Sequence, residues 1–423
     1  MRGDRGKPAL AMLGGSRAVP RGCGIPRWPV VTDREEDALR QVLASGKFTS
    51  AASGEREVAA LERDWASLVG TRHCAAVSSG TAAISLAIAA LGLRPGDEVI
   101  VPALSFIASA VAPLHVLAVP VFVDVHPRSF NLDPAGIEQA ITPRTRAVLV
   151  VHLHGLPADM DQILAVARRA GLHVIEDAAQ AHGAAYRGRQ VGSMGVVNAF
   201  SLNVSKNLPT CGEGGLVTTD DAALHQRVVM MRQFGEVIPE EGERTYVSHL
   251  LGWNHKLGAV QAAFTRAQLG RFDQYRRLRE RNVRRLLKRL DGLPGLLAPQ
   301  VPSDREHAWH ILRFRVDPAA LGLDDVGPGP LRAALMRVLR AEGVPLSQYQ
   351  LVPLPGQQVF QRGEGLGGGA PWSLPGARPP DKPIEAHPNA KAIVEDSFTI
   401  QKAHLSPEAG ALLDRCADAF EKA

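Results

Sequence analysis

Cysteine is scarce in this sequence. Four occur in 423 residues, at Cys23, Cys74, Cys211 and Cys416. Their scatter matches neither a zinc-ligand spacing nor a disulfide framework, which leaves reduced thiols as the simple reading. Long apolar runs are missing too. No stretch reaches the roughly 20 residues needed to span a bilayer, and the apolar residues 9–13 are too few for the core of a secretory signal. The expectation is a cytoplasmic protein with no membrane contact. No glycine-rich loop ends in Gly-Lys-Ser/Thr, so a nucleotide-binding Walker loop is absent. The net charge of +5 comes largely from an arginine-rich helical stretch, residues 271–289. Such a stretch is more commonly a solvated helix face than a nucleic-acid surface, and no nucleic-acid-binding module accompanies it. No metal is expected: His152 and His154 stand two apart with no third ligand at a supporting spacing.

What is present is an alternation. Short apolar runs at 74–77, 99–102, 119–123, 144–151, 172–175, 196–202 and 216–218 read as strands. Helical patterns at 82–91 and 162–170 lie among them, after an amphipathic helix at 55–69 in which Val58, Leu61 and Trp65 share a face. Strand and helix in turn imply a mainly parallel sheet covered on both sides, with ligands bound beyond the carboxyl ends of the strands. At 423 residues the chain is long enough for two domains. The reading divides it into an arm at 1–30, a large domain at 31–265 and a smaller α/β domain at 266–423. The smaller domain has a strand at 308–316 and helices at 330–342 and 407–422. Residues 257–290 read as one long, bent helix joining the two domains. Residues 353–383, rich in Gly and Pro, read as a long loop that is either a lid or disordered.

The stretch 173–219 organises the rest. One apolar run delivers Glu176-Asp177 to a loop; the next delivers Ser205-Lys206, followed by Gly212-Glu213-Gly214-Gly215, where glycine permits close backbone approach. A carboxylate and a lysine at the ends of two core strands suit pyridoxal 5'-phosphate. That cofactor needs an amine for a Schiff base and a carboxylate facing its pyridine nitrogen. Earlier in the chain, Ser78-Ser79-Gly80-Thr81 sits between a strand and a helix. A helix N-terminus offers free N–H groups to an anion, so Gly80 and Thr81 are candidates for holding a phosphate.

These segments, EDAAQAHG at 176–183, SLNVSKNLPTCGEGG at 201–215 and TTDD at 218–221, resemble the DegT/StrS family of pyridoxal-phosphate-dependent aminotransferases, in the fold-type I superfamily. The likeness is good over roughly residues 15–320 and poor over the last hundred or so. It implies a large domain built on a mainly parallel seven-stranded sheet flanked by helices, plus a smaller C-terminal α/β domain. It implies that Asp177 pairs with the pyridine nitrogen and that Gln180 lies against the ring. Ser201 would hold phosphate and Lys206 would carry the cofactor as a Schiff base. Ser105-Phe106 is similar to the family's P-x-x-T-(F/W) motif, which gives Phe106 the role of stacking on the ring. The segment 251–257, LGWNHKL, is similar to G-x-N-x-R-(L/M), in which the Asn reaches the phosphate of a neighbouring subunit. Asn254 would then act in trans within a homodimer, and Lys256 stands where the family has Arg. Lys206 also argues against relatives that carry His there and act as dehydratases.

The resemblance implies two partners: an amine donor, glutamine or glutamate, and a cyclic ketone. The opening 12–20, MLGGSRAVP, is similar to the LxGGxPV start of the branch that handles keto-cyclitols and aminohydroxybenzoate. That favours a keto-cyclitol acceptor in secondary metabolism of the aminoglycoside kind. A nucleotide-linked keto-sugar, or a lyase reaction like that of an aminohydroxybenzoate synthase, is the alternative. A cofactor-binding regulator without turnover is the reading from another class.

Overall fold

The computed structural model describes residues 9–50, 54–239, 244–380 and 383–423. Part of the expected arm (residues 1–8), residues 51–53 and 240–243, and part of the Gly/Pro-rich stretch (381–382) lie outside the described residues.

Among the described residues, nine strands precede residue 220. They are β1 (His73–Val77), β2 (Glu98–Pro102), β3 (Val119–Val123), β4 (Thr145–Val151), β5 (His173–Asp177), β6 (Ala185–Tyr186), β7 (Arg189–Gln190), β8 (Val197–Ser201) and β9 (Gly215–Thr219). Seven of them form one sheet in the order β1-β9-β8-β5-β4-β2-β3. The run from β8 to β3 is parallel, and β9 is antiparallel to both β8 and β1. The core strands are mostly apolar because both sheet faces are covered, with Glu176, Asp177 and Asn198 among the buried polar exceptions. Side chains alternate between those faces. Val99, Val101, Ala147 and Leu149 enter one apolar cluster; Ile100, Val148 and Val150 enter the other. Pro120, which has no N–H to give, sits in β3 at the sheet edge.

The C-terminal part adds β10 (Leu296–Leu297), β11 (Arg305–Glu306), β12 (Leu312–Val316), β13 (Leu346–Ser347) and β14 (Ser397–Ile400). Four of these form an antiparallel sheet, β10-β12-β14-β13, while β11 joins the β6–β7 hairpin. The core of the smaller sheet is aromatic. Phe314, Phe398 and Phe420 pack with centroids 5.6–6.2 Å apart.

Three sequence expectations change. The single helix expected over 257–290 is two, Ala259–Leu269 and Phe272–Leu290. The chain turns at Gly270-Arg271, where the Arg271 guanidinium leaves to bond Glu35 and Thr32. The strand expected over 308–316 begins only at Leu312. Trp309 sits at φ +54°, and the amides of Ala308 and His310 are spent on the carbonyls of Gly155 and His154. The Gly/Pro-rich stretch is not structureless. It holds a short helix, Gln358–Arg362, whose Phe360 is buried edge-on against Phe122 of the large sheet, with Trp372 behind it. Leu354 N–H donates to Ala103 O at 2.8 Å, fastening this segment to the loop after β2.

Candidate active site

A cleft of about 480 Å³ opens beyond the carboxyl ends of β5 and β8. Its walls include Ser79, Gly80, Thr81, Phe106, Asp177, Gln180, Ser201 and Lys206. The structure thus gathers seven of the eight residues singled out in the sequence. The exception is Asn254. It is exposed, accepts from Lys256 Nζ at 2.7 Å and does not line the cleft of its own chain.

Asp177 is the last residue of β5 and only 4 % exposed. It accepts from Ser109 Oγ at 2.7 Å and from Ala179 N–H at 3.1 Å. Ser105 Oγ lies 2.8 Å from Ser109 Oγ, extending the relay. Burial pushes the Asp177 carboxyl up from its usual range; Ser109, Ala179 and the nearby Lys206 pull it back. Its neighbour Glu176 points to the other face of the strand, as strand geometry requires. Glu176 accepts from His152 Nε2 at 2.9 Å and from the N–H groups of Gly192, Met194 and Gly195 at 2.6–2.8 Å. It is a structural carboxylate, and His152 is its partner. His154 is buried against Phe130 and Tyr349. Neither histidine lines the cleft.

Lys206 lies in the loop after β8. Trp28 Nε1–H donates to its carbonyl at 3.0 Å, and its N–H donates to Asn203 O at 2.8 Å. Asn207, the next residue, is pinned by Ala308 O at 2.7 Å and His310 Nδ1 at 2.9 Å. Burial lowers the Lys206 amine from its ordinary value, while Asp177 and Glu213 act in the opposite sense.

The helix Gly80–Ala90 starts at the cleft. Ser79 caps it, its Oγ accepting from Ala82 N–H at 3.1 Å. The amides of Gly80 and Thr81, in the first turn, have no carbonyl within the helix to bond. An anion placed at this helix start would be favoured by those amides and by the helix dipole. The glycine has a steric reason: a Cβ on Gly80 would stand 2.6 Å from Ser201 Cβ. Only glycine lets the helix start close onto the end of β8. Gly215 serves the same junction, since its Cβ would meet Ser79 O at 2.3 Å. Phe106 stands at the mouth, 54 % exposed. Gln180 Oε1 accepts from His154 N–H at 2.8 Å, and Tyr349 shares a hydrogen bond with Gln180.

Sequence reasoning missed several participants. Ser109 sits one turn after Phe106, but a lone helical serine carries no signal. Trp28, Tyr349 and Lys402 arrive from the N-terminal and C-terminal parts of the chain, and no periodicity links them to the cleft. Glu213 of the Gly-rich turn also lines it, accepting from Asn203 Nδ2 at 2.6 Å.

The sequence profile of the DegT/DnrJ/EryC1/StrS aminotransferase family matches residues 29–371. Among characterised proteins, the chain is 42% identical over 320 residues to the L-glutamine:2-deoxy-scyllo-inosose aminotransferase of Streptomyces lividus, covering 72% of this chain and 74% of that one. It is 41% identical over 280 residues to the dTDP-3-amino-3,4,6-trideoxy-alpha-D-glucose transaminase of Streptomyces venezuelae, covering 66% and 71%. Among solved structures, that of Streptomyces venezuelae DesV superposes with a TM-score of 0.77 at 33% identity, over 94% of this chain and 99% of DesV. The side chains present fit pyridoxal phosphate. A glycine-tight helix start with free amides and the Ser201 hydroxyl suits a phosphate, an amine is within the same cleft, and a buried carboxylate with two donors retains capacity to accept a third. The chain belongs to the DegT/DnrJ/EryC1/StrS aminotransferase family, and it is a pyridoxal-phosphate-dependent transaminase.

Proposed function

We propose that this enzyme transfers the amino group of glutamine or glutamate to a cyclic ketone, a keto-cyclitol first and a keto-sugar second, in secondary-metabolite biosynthesis. The observation that carries this reading is the convergence of Lys206, Asp177 and the Gly80–Thr81 helix start on one cleft. When bound, pyridoxal phosphate supplies an aldehyde carbon for the amine and a cationic ring that accepts the electron pair released at the substrate carbon. Asp177 would keep the ring nitrogen protonated, with Ser109 steadying the Asp177 carboxylate. Gly80, Thr81 and Ser201 would hold the phosphate, and Phe106 and Gln180 would hold the ring. Lys206 Nζ would carry the cofactor and serve as the acid–base group for the proton shift. Its lowered pKa keeps a larger share of the amine neutral, as a base requires.

The relative acting on 2-deoxy-scyllo-inosose supports the cyclitol acceptor and the glutamine donor. The dTDP-sugar relative supports the second reading, a nucleotide-linked keto-sugar acceptor. Asn254 is exposed and away from its own cleft, which suits a residue that completes the phosphate site of a second subunit in a homodimer. Among the described residues no helix is long and apolar enough to cross a membrane, and the proposed compartment is the cytoplasm. The test is a single-turnover screen of the amine-loaded enzyme against keto-cyclitols and nucleotide-linked keto-sugars. Amination of a keto-cyclitol is expected; reaction with nucleotide-linked sugars alone would overturn the choice of acceptor.

A further inference from the structure

The cleft holds a second lysine that the mechanism above leaves without work. Lys402 comes from the small domain, in the one-turn helix Lys402–Leu405 that follows β14. It lines the same cleft as Lys206, Gln180, Phe106 and Tyr349. Its Nζ donates to Ser205 Oγ at 3.2 Å, and among the described residues no carboxylate pairs with it. The charged groups on the cleft wall are Asp177, Glu213, Lys206 and Lys402. Lys206 is committed to the covalent chemistry and Asp177 to the ring nitrogen. Lys402 is therefore the one cation on the wall, among the described residues, left to receive a ligand's anionic group.

We propose that Lys402 is the carboxylate receptor of the amine donor, taking the α-carboxylate of a glutamine-class amino acid so that its amine faces Lys206. The inference rests on the aminotransferase reading and deepens it. An ammonium held half-buried without a counter-charge is costly, and a carboxylate supplies the missing partner. Burial first, and then the Lys206 charge, push the Lys402 amine down to about 7. A bound carboxylate opposes that shift and holds the proton on. Ser205, adjacent to Lys206 in the chain, accepts from Lys402 while its own hydroxyl donates to Asn203 Oδ1 at 2.7 Å. That links the receptor to the loop carrying the reactive amine.

The test compares glutamine with glutaminol, the same donor lacking the carboxylate, in Lys402→Met and Lys402→Arg. Donor half-reactions are followed by the cofactor's absorbance. Equilibrium binding of glutaramate, glutamine without its amine, is measured by calorimetry. In Lys402→Met, kcat/KM for glutamine is expected to fall by roughly 10- to 100-fold. Glutaramate binding weakens in parallel, whereas glutaminol turnover and cofactor affinity stay at wild-type levels. Lys402→Arg restores much of the glutamine rate. An equal loss on glutamine and glutaminol, unchanged glutaramate binding, or a loss confined to cofactor affinity would each overturn the proposal. If the wild type turns over no amino donor at all, the aminotransferase reading fails instead; a wild type that works beside an unaffected Lys402→Met sinks only the receptor.

Discussion

Gly80→Ala separates what the helix start does for folding from what it does for the cofactor. An added Cβ would stand 2.6 Å from Ser201 Cβ, 2.9 Å from Ser201 Oγ and 3.1 Å from Ser201 Cα. Carbon atoms in good contact sit about 3.5–4.0 Å apart, so the helix start and the end of β8 must part by roughly 1 Å. Overpacking of this kind costs about 1–3 kcal/mol. Alanine in place of glycine in a helix returns up to about 1 kcal/mol. The net loss of cofactor-free stability is then roughly 0–2 kcal/mol, a shift of a few degrees in Tm. The cofactor loses more in proportion. In the proposed site the two amides and the Ser201 hydroxyl would converge on one phosphate, and moving one charged hydrogen bond out of range costs about 1.5–3 kcal/mol. That is a drop of roughly 10- to 150-fold in affinity. The assay titrates cofactor-free protein with pyridoxal phosphate, followed by absorbance, beside thermal unfolding of the same samples. A variant that binds the phosphate cofactor as tightly as wild type would refute the assignment of this junction. Gly215→Ala is the contrasting control. Its Cβ would meet backbone, Ser79 O at 2.3 Å, so cofactor-free Tm itself is expected to drop.

Other outcomes follow from the same geometry. Lys206→Ala is expected to abolish turnover and the visible absorbance of the bound cofactor, and survival of both would end the assignment of Lys206. Asp177→Asn is expected to retain the cofactor while kcat falls by roughly 100-fold or more; steady-state rates at wild-type level would mean that the ring nitrogen has another partner. Lys402 gives a pH signature in cofactor-free protein. Its folded-state pKa of about 7 lies below the ordinary 10.5, so the folded chain binds fewer protons between those values. Stability from this group therefore rises as pH climbs from about 7 towards 10.5. Lys402→Met is expected to be more stable than wild type near pH 6, with the advantage shrinking across that window. A pH-independent difference in Tm would contradict the burial of the charge.

Much of the fold was legible because its signals are local. Runs such as 119–123 and 147–151 are apolar without interruption, and strands buried on both faces must be. The site was legible where chemistry is confined to a short stretch, as at 173–219. What stayed hidden was long-range. Ser109 reads as an ordinary helical serine until the fold sets it 2.7 Å from Asp177. Tyr349 and Lys402 come from a region whose motifs are weak, and only the packing of the C-terminal part brings them to the cleft. The break at Gly270-Arg271 escaped because amphipathic helices lie on both sides of it. The periodicity continues while Arg271 is drawn away by Glu35. The late start of β12 depends on hydrogen bonds from Ala308 and His310 to residues 155 and 154, which sequence spacing cannot reveal.

Two adjacent carboxylates on β5 show how the fold tells a structural acid from a working one. Glu176 and Asp177 are both buried, and burial acts on both in the same direction. Yet the Glu176 carboxyl ends below its ordinary value and that of Asp177 above it. The difference lies in what each is given. Glu176 receives His152 and three backbone N–H groups, which overcome the cost of burial. Asp177 receives one hydroxyl and one N–H, which do not. A carboxylate has room for about four donors, so Asp177 is left short on the side that faces the cleft. Lys206 and Lys402 stand in the mirror position, their amines lowered by burial. Each group is thus displaced toward its neutral form, and an oppositely charged ligand atom beside Asp177 or Lys402 would oppose that shift. Cofactor and donor binding should accordingly stabilise the folded chain through these groups, by an amount set by free ligand concentration over Kd.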